Sequence, residues 1–168
     1  MNIRRFQGWA LLVILPIDLL SFVVGDAPWY GILSIIAVIL FIVGVPAIQS
    51  VQPMGTPGLA GIILIELAAV IALGLNLLGG PEVSEVLILT SVLAGALGRI
   101  IIGWRTARAN VFPAWAGWAF LAQGILNLAG YIYLYDLGTF GSVLGTIVFL
   151  LDSVAAFGYG LGIVRRQS

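Results

Sequence analysis

Six long apolar runs dominate the pattern of hydrophobic and polar positions along this chain. Each is close to the roughly 20 apolar residues that a helix needs to cross a bilayer. The connections between the runs are short, so neighbouring spans are expected to run antiparallel. Residues 1–168 are therefore predicted to form a single integral membrane domain. Its fold class is all-α, a polytopic transmembrane helical bundle with spans at about residues 7–25, 29–48, 58–78, 83–104, 113–135 and 138–164.

Composition supports lipid as the main solvent of this chain. Of its 168 residues, 61% are hydrophobic and 8% are charged. A soluble globular domain carries about 25% charged residues. This chain has too little charge to cover a water-facing surface.

The charged residues predict how the chain is threaded. All seven basic residues are arginines, and the connections on the opposite side of the predicted bundle carry only Asp26, Glu82, Glu85 and Asp136. Basic residues concentrate in the cytoplasmic connections of membrane proteins. Both termini are therefore predicted to be cytoplasmic. The arginines are Arg4, Arg5, Arg99, Arg105, Arg108, Arg165 and Arg166.

The connection between the second and third spans, residues 46–58, is uncharged and holds Pro46, Pro53 and Pro57. Because proline disrupts helices, a stiff non-helical connector is predicted there. The alternative is a segment that lies on the membrane surface or docks onto a partner.

The chain has no cysteine and no histidine. Disulfides, thiolate metal sites and histidine-ligated haem or zinc are therefore excluded. No metal and no cofactor is predicted, and a bound lipid, quinone or pigment stays open. The net charge of zero argues against nucleic acid as a partner, because such partners need a basic surface.

Four polar residues are predicted to share one layer near the bilayer midplane. At about 1.5 Å per residue from the cytoplasmic ends, Asp18 and Asp152 lie roughly 18 Å deep, and Gln123 and Asn127 roughly 15 and 21 Å deep. Acids at such depth should face the bundle interior. Two interpretations are open for this candidate site: polar contacts that hold helices together, or a site that binds a proton or cation.

Glu66 and Arg99 form the candidate buried ion pair. They lie roughly 12 and 8 Å deep on neighbouring spans, so the long arginine side chain could reach the carboxylate. The pair is predicted to fix the register of one helical hairpin. A gate or anion contact near the cytoplasmic mouth is the alternative.

The basic loop from Arg105 to Arg108 runs through Pro113-Ala114-Trp115-Ala116-Gly117 into the next span, and the chain opens with Arg4-Arg5-Phe6-Gln7-Gly8-Trp9. Both phrases resemble those of small, uncharacterised bacterial multi-span membrane proteins. The resemblance covers about a sixth of the chain and implies a bacterial cytoplasmic (inner) membrane. It implies no activity and no site residue.

Three functions are compatible with the sequence. The first is a non-catalytic membrane protein that acts through helix–helix association, as an accessory or structural subunit of a larger complex. Its partners would be lipid and other membrane subunits or further copies of itself. The second is a small proton- or cation-coupled transporter or channel that uses Asp18 and Asp152. The third, an intramembrane lipid-modifying enzyme, has no motif in its favour, so no catalytic residue is predicted.

Overall fold

Helices account for the regular structure of this chain. The computed structural model describes residues 2–24, 29–78, 85–133 and 138–166, with side chains described throughout except at 22, 24, 30, 78, 131–133 and 138–142. No strand occurs within these ranges. They contain six long helices and one short one: α1 (Ile3–Val24), α2 (Trp29–Gly44), α3 (Pro46–Val51), α4 (Gly55–Leu78), α5 (Glu85–Ala109), α6 (Ala114–Tyr133) and α7 (Gly138–Arg165).

Several of these helices are long enough for a bilayer. At about 1.5 Å per residue, a helix needs roughly 20 residues to cross a hydrocarbon core about 30 Å thick. By length and composition, four stretches of the described chain are apolar enough to do so: Gly31–Val51, Gly55–Leu77, Glu85–Ala109 and Val143–Arg165. These stretches indicate a helical membrane protein.

The six long helices close into a ring. Each packs mainly against its neighbours along the chain, and α7 returns to pack against α1. The contacts of α5 with α6 and with α4 are the most extensive, and the seam between α2 and α4 is the sparsest. Because the ring closes, helices that are not neighbours share one interior.

Glycine allows α5 and α6 to pack backbone against backbone. A Cβ atom at Gly103 would lie 2.5 Å from the Leu121 nitrogen and 2.6 Å from the Gly117 oxygen. A Cβ atom at Gly117 would lie 2.5 Å from the Ala107 nitrogen. No side chain fits at either position, so this seam depends on small residues, as close transmembrane helix pairs generally do.

One end of the ring carries most of the arginines. This arginine end is where α1 and α4 begin and where α5 and α7 end. Arg166 Nη2 donates a hydrogen bond to the Val111 carbonyl oxygen at 2.8 Å, which joins the end of α7 to the segment between α5 and α6. Gln52 Nε2 donates to the Arg105 carbonyl oxygen at 3.4 Å, which joins the segment after α3 to the last turns of α5.

An aromatic column fills the interior between the arginine end and the middle of the bundle. The ring centroids of Phe112 and Tyr159 are 5.1 Å apart, those of Tyr159 and Phe120 are 5.1 Å apart, and those of Phe120 and Phe41 are 6.3 Å apart. Tyr159 and Phe120 are fully buried. These aromatic side chains fill the interior here, and Phe41 at the end of the column also borders a cavity inside the bundle.

The prediction of a non-helical connector over residues 46–58 is wrong. Residues 46–51 form α3, and α4 already begins at Gly55. Pro46 is at the start of α3, and Pro57 is in the first turn of α4. Proline is tolerated there because the backbone amide of a first-turn residue makes no hydrogen bond within the helix. The break between the two helices falls instead at Gln52–Met54, and Gly55 follows it with a φ of 65° that suits glycine.

The fourth predicted span also ends too early. It was expected to end at residue 104, whereas α5 continues to Ala109. Asn110 then takes a φ of 52°, a left-handed conformation that commonly ends a helix. The five extra residues add about 7.5 Å of helix, which places every residue of α5 deeper below its end than expected.

Candidate functional site

An ion pair between Arg99 of α5 and Asp152 of α7 lies at the centre of the ring. Arg99 Nε donates to Asp152 Oδ1 at 2.7 Å, and Arg99 Nη2 donates to Asp152 Oδ2 at 2.9 Å. The two side chains are 13% and 25% exposed. Two parallel charge-assisted hydrogen bonds of this kind fix both the distance and the orientation of the partners.

Two neighbouring aromatic rings lie beside the Arg99 guanidinium. Its central carbon lies 5.3 Å from the centroid of Phe41 on α2 and 5.8 Å from that of Phe120 on α6. Both distances are within the range of a cation–π attraction. A Cβ atom at position 95 would lie 2.8 Å from Arg99 Nη1, so Gly95 leaves room for the guanidinium beside α5.

Asp18 of α1 is tied to α7 by the residue that follows Asp152. Ser153 Oγ and Asp18 Oδ2 form a short hydrogen bond. Both side chains are buried, with Asp18 5% and Ser153 1% exposed. Two consecutive residues of α7 therefore make different contacts: Asp152 reaches α5, and Ser153 reaches α1.

Asp18, Arg99 and Asp152 border one cavity of about 230 Å³ inside the ring, which is called the interior cavity below. Every long helix contributes to its wall. Much of the wall is alanine, at Ala37, Ala68, Ala69 and Ala72. Its polar side chains are Asp18, Ser34, Ser91, Arg99, Asn127 and Asp152.

The structure brings three of the four predicted midplane residues to this cavity. Asp18, Asp152 and Asn127 line it, and Gln123 does not. Gln123 is buried, and its Oε1 accepts no hydrogen bond from the part of the chain that the structure describes. Gln123 therefore stands apart from the other three predicted residues.

The predicted pair between Glu66 and Arg99 is wrong. Arg99 pairs with Asp152, and no ion pair to Glu66 exists among the described residues. Within the same ranges, Glu66 Oε1 is buried and has no hydrogen-bond partner. Depth does not separate the two acids, because Glu66 lies roughly 17 Å from the start of α4 and Arg99 roughly 15 Å from the end of α5. The difference is in direction: Arg99 and Asp152 line the same cavity inside the ring, and Glu66 does not.

Arg99 is thus the basic partner of Asp152. This contact could not be read from the pattern of residues, because α5 and α7 are not neighbours along the chain and meet only across the closed ring.

Sequence reasoning missed Ser153, Phe41 and Phe120 as members of the site. Ser153 had a readable signal, since it is a hydroxyl residue beside an intramembrane acid in an apolar run. The two phenylalanines had none, because they look like ordinary core residues until the position of Arg99 is known.

The arrangement combines two carboxylates and one guanidinium around a shared space. In the described residues, no three acidic side chains gather as they would to hold a metal ion. The Arg99–Asp152 pair is neutral overall, and Asp18 has no cationic partner among the described residues; its carboxyl contacts the Ser153 hydroxyl. Such a carboxyl can gain or lose a proton, or balance a cation in the cavity.

Comparisons with protein-family models, with curated proteins and with solved structures find no match to this chain.

Proposed function

We propose that this chain is a small proton-coupled membrane transporter or channel, with the interior cavity as its binding site and Asp18 as the residue that binds the proton. One observation carries the proposal. Residues from all six long helices surround a cavity that contains two carboxylates and one guanidinium. Charged groups inside a membrane bundle are costly, and they typically mark ion or proton pathways.

The hydrogen bonds of Ser153 support Asp18 as the proton-binding group. Ser153 Oγ lies within hydrogen-bonding distance of Asp18 Oδ2 and also of the Phe149 carbonyl oxygen, at 3.0 Å. A hydroxyl has a single proton, so it can donate to only one of these two acceptors. If Asp18 carries a proton, it donates to Ser153 while Ser153 donates to Phe149, and both contacts are satisfied.

Asp152 suits a different role. Both of its carboxyl oxygens accept hydrogen bonds from Arg99, which fixes the position of the carboxyl group. Asp152 therefore neutralises Arg99 and orients it. The proton-dependent change of charge is assigned to Asp18, which has no cationic partner among the described residues.

The test is proton flux into liposomes that contain the full-length chain and a trapped pH-sensitive dye. The wild type should carry protons faster than empty liposomes, and Asp18→Asn should lose at least 90% of that excess, because an amide cannot bind the proton. Glu66→Gln is the matched control: it also removes an intramembrane carboxyl, but Glu66 does not line the cavity. Wild-type flux in Asp18→Asn, or no flux in the wild type, would exclude the proposal.

The proposal includes a topology of six spans with both termini in the cytoplasm of a bacterial inner membrane. Its support is the position of the arginines. Six of the seven lie at the arginine end, at the start of α1, in the last two turns of α5 and at the end of α7, while Arg99 lies in the interior. Such one-sided clustering is typical of the cytoplasmic face.

A second candidate function is an accessory subunit that binds other membrane proteins. It is favoured by three glycines whose Cβ positions face open space, Gly31, Gly74 and Gly145. Most of the remaining glycines are already used in packing within the ring. Native mass spectrometry after gentle extraction from native membrane separates the two functions: a stoichiometric protein partner favours the subunit, and a chain alone or bound to itself favours transport.

A further inference from the structure

A second cavity, of about 580 Å³, lies at the arginine end and is separate from the interior site. The segment Val51–Met54 forms one wall, and the last turns of α5 form another. Trp104, Arg105 and Arg108 belong to the second wall, and Val111 completes the lining. The volume falls within the range of about 300–1,000 Å³ that small-ligand sites usually occupy.

The charge of this cavity is positive and unbalanced. Neither Arg105 nor Arg108 is paired with a carboxylate in the described ranges. The sequence has no acidic residue between Asp26 and Glu66 or between Glu85 and Asp136, so no segment that lines the cavity carries a carboxylate. Arg166 adds a third guanidinium at the edge through its hydrogen bond to Val111.

The cavity is built to hold its charges in place. The Arg108 guanidinium carbon lies 3.7 Å from the ring centroid of Trp104, which is close enough for a stacked cation–π contact. Trp104 itself is 43% exposed, as expected of a residue at a membrane interface. The stacking leaves the edge of the guanidinium, where its N–H groups are, to a further partner.

A hydrogen-bond acceptor accompanies the two arginines. Gln52 lines the cavity and is 5% exposed, and its Oε1 receives no hydrogen bond from the residues that the structure describes. A ligand that offers a hydroxyl group beside an anionic group would match this combination. The apolar walls at Val51, Met54 and Val111 would accommodate the hydrocarbon next to such a headgroup.

We infer that this cavity binds the phosphate of an anionic phospholipid, with Arg105 and Arg108 on the phosphate and Gln52 on a headgroup hydroxyl. Guanidinium groups recognise phosphate through paired N–H donors. Basic pockets between transmembrane helices are a recurrent site for anionic headgroups. The inference does not depend on the proposed transport activity, because it concerns a different cavity and a different set of residues.

The experiment places the full-length chain in nanodiscs of phosphatidylcholine with a varied fraction of phosphatidylglycerol, and native mass spectrometry counts retained phosphatidylglycerol. One bound molecule per chain is expected. The double variant Arg105→Gln/Arg108→Gln should weaken binding about 30-fold, because each basic residue near a membrane surface contributes about five- to sixfold in affinity and the two factors multiply. The matched control Arg4→Gln/Arg5→Gln removes the same charge from the same end and should retain the lipid.

A second pair of variants tests the cavity without changing its charge. Ala109→Trp places a large ring at an exposed position of the cavity wall and should displace the lipid. Ala114→Trp, at an exposed position outside the cavity, should not. This pair keeps the inference testable if the double arginine variant fails to fold.

Three results would overturn the inference. The first is equal loss of lipid in both double arginine variants, which would mean general attraction to the charged surface. The second is retention of the lipid in Ala109→Trp. The third is binding of soluble glycerol phosphate in pure phosphatidylcholine discs without any preference for phosphatidylglycerol, which would assign the cavity to a soluble anion.

Discussion

The pairing of Arg99 with Asp152 makes a quantitative prediction about stability. Asp152→Asn leaves the guanidinium without its ionic partner. Removing one member of a fully buried pair costs about 3–5 kcal/mol. The side chains of this pair are 13% and 25% exposed and border a cavity, so partial solvation should reduce the loss. We expect Asp152→Asn to lower the free energy of unfolding by about 2–3 kcal/mol.

Arg99→Met should cost about as much for two reasons. It leaves Asp152 without its partner, and it removes the contacts of the guanidinium with Phe41 and Phe120, at 5.3 and 5.8 Å. Each contact contributes about 0.5–1 kcal/mol. The double variant has neither charge, so its loss should be smaller than the sum of the two single losses. The resulting coupling energy between positions 99 and 152 is expected to be about 2 kcal/mol.

The assay is reversible unfolding of the chain by sodium dodecyl sulfate in mixed micelles, with the free energy measured for both single variants and the double variant. A second cycle that combines Glu66→Gln with Arg99→Met serves as the control. Because no ion pair joins Glu66 to Arg99 in the described ranges, these two changes should be additive within about 0.5 kcal/mol. The reasoning is refuted if the larger coupling appears between positions 66 and 99.

Two further predictions concern packing and threading. Gly103→Ala should destabilise the chain by about 1–3 kcal/mol in the same unfolding assay, because the new methyl group meets the backbone of α6. Gly145→Ala is the control: a Cβ atom at this position has no neighbouring atom within 4 Å, so the change should be neutral or slightly stabilising. The chain has no cysteine, so single cysteines can report the threading. Asn2→Cys and Asn110→Cys should react with a membrane-impermeant maleimide only after the cells are opened, and Asp26→Cys should react in intact cells. The reverse labelling would invert the proposed orientation.

The sequence predicted which residues lie at the interior site better than it predicted which of them contact each other. Asp18, Asp152 and Asn127 could be placed at a common depth because helical rise is constant and the ends of the apolar runs can be read. The same count failed for Arg99, because the fourth run was ended at its last apolar residue. The helix continues through Arg105 and Arg108, whose long side chains suit the end of a membrane helix.

The packing of α7 against α1, which closes the ring of helices, could not be predicted from the sequence. Short connections predict contacts between consecutive helices, which the structure contains. They do not say whether α7 returns to α1, and this closure decides which charges meet across the interior. The prolines of residues 46–58 show a related difficulty, because proline is tolerated in the first turn of a helix and disruptive only further along.

The alanines of the cavity wall bear on the choice between a binding site and simple helix association. Polar side chains that only join helices need no space around them, and close packing would strengthen their contacts. Here Phe112, Phe120 and Tyr159 pack against one another in the interior. By contrast, Ala37, Ala68, Ala69 and Ala72 line a cavity of about 230 Å³ beside Asp18 and Asp152. A cavity with carboxylates on its wall has both the room and the polar partners that water or a small cation needs. That combination is the reason that we propose binding and transport for the interior of this bundle.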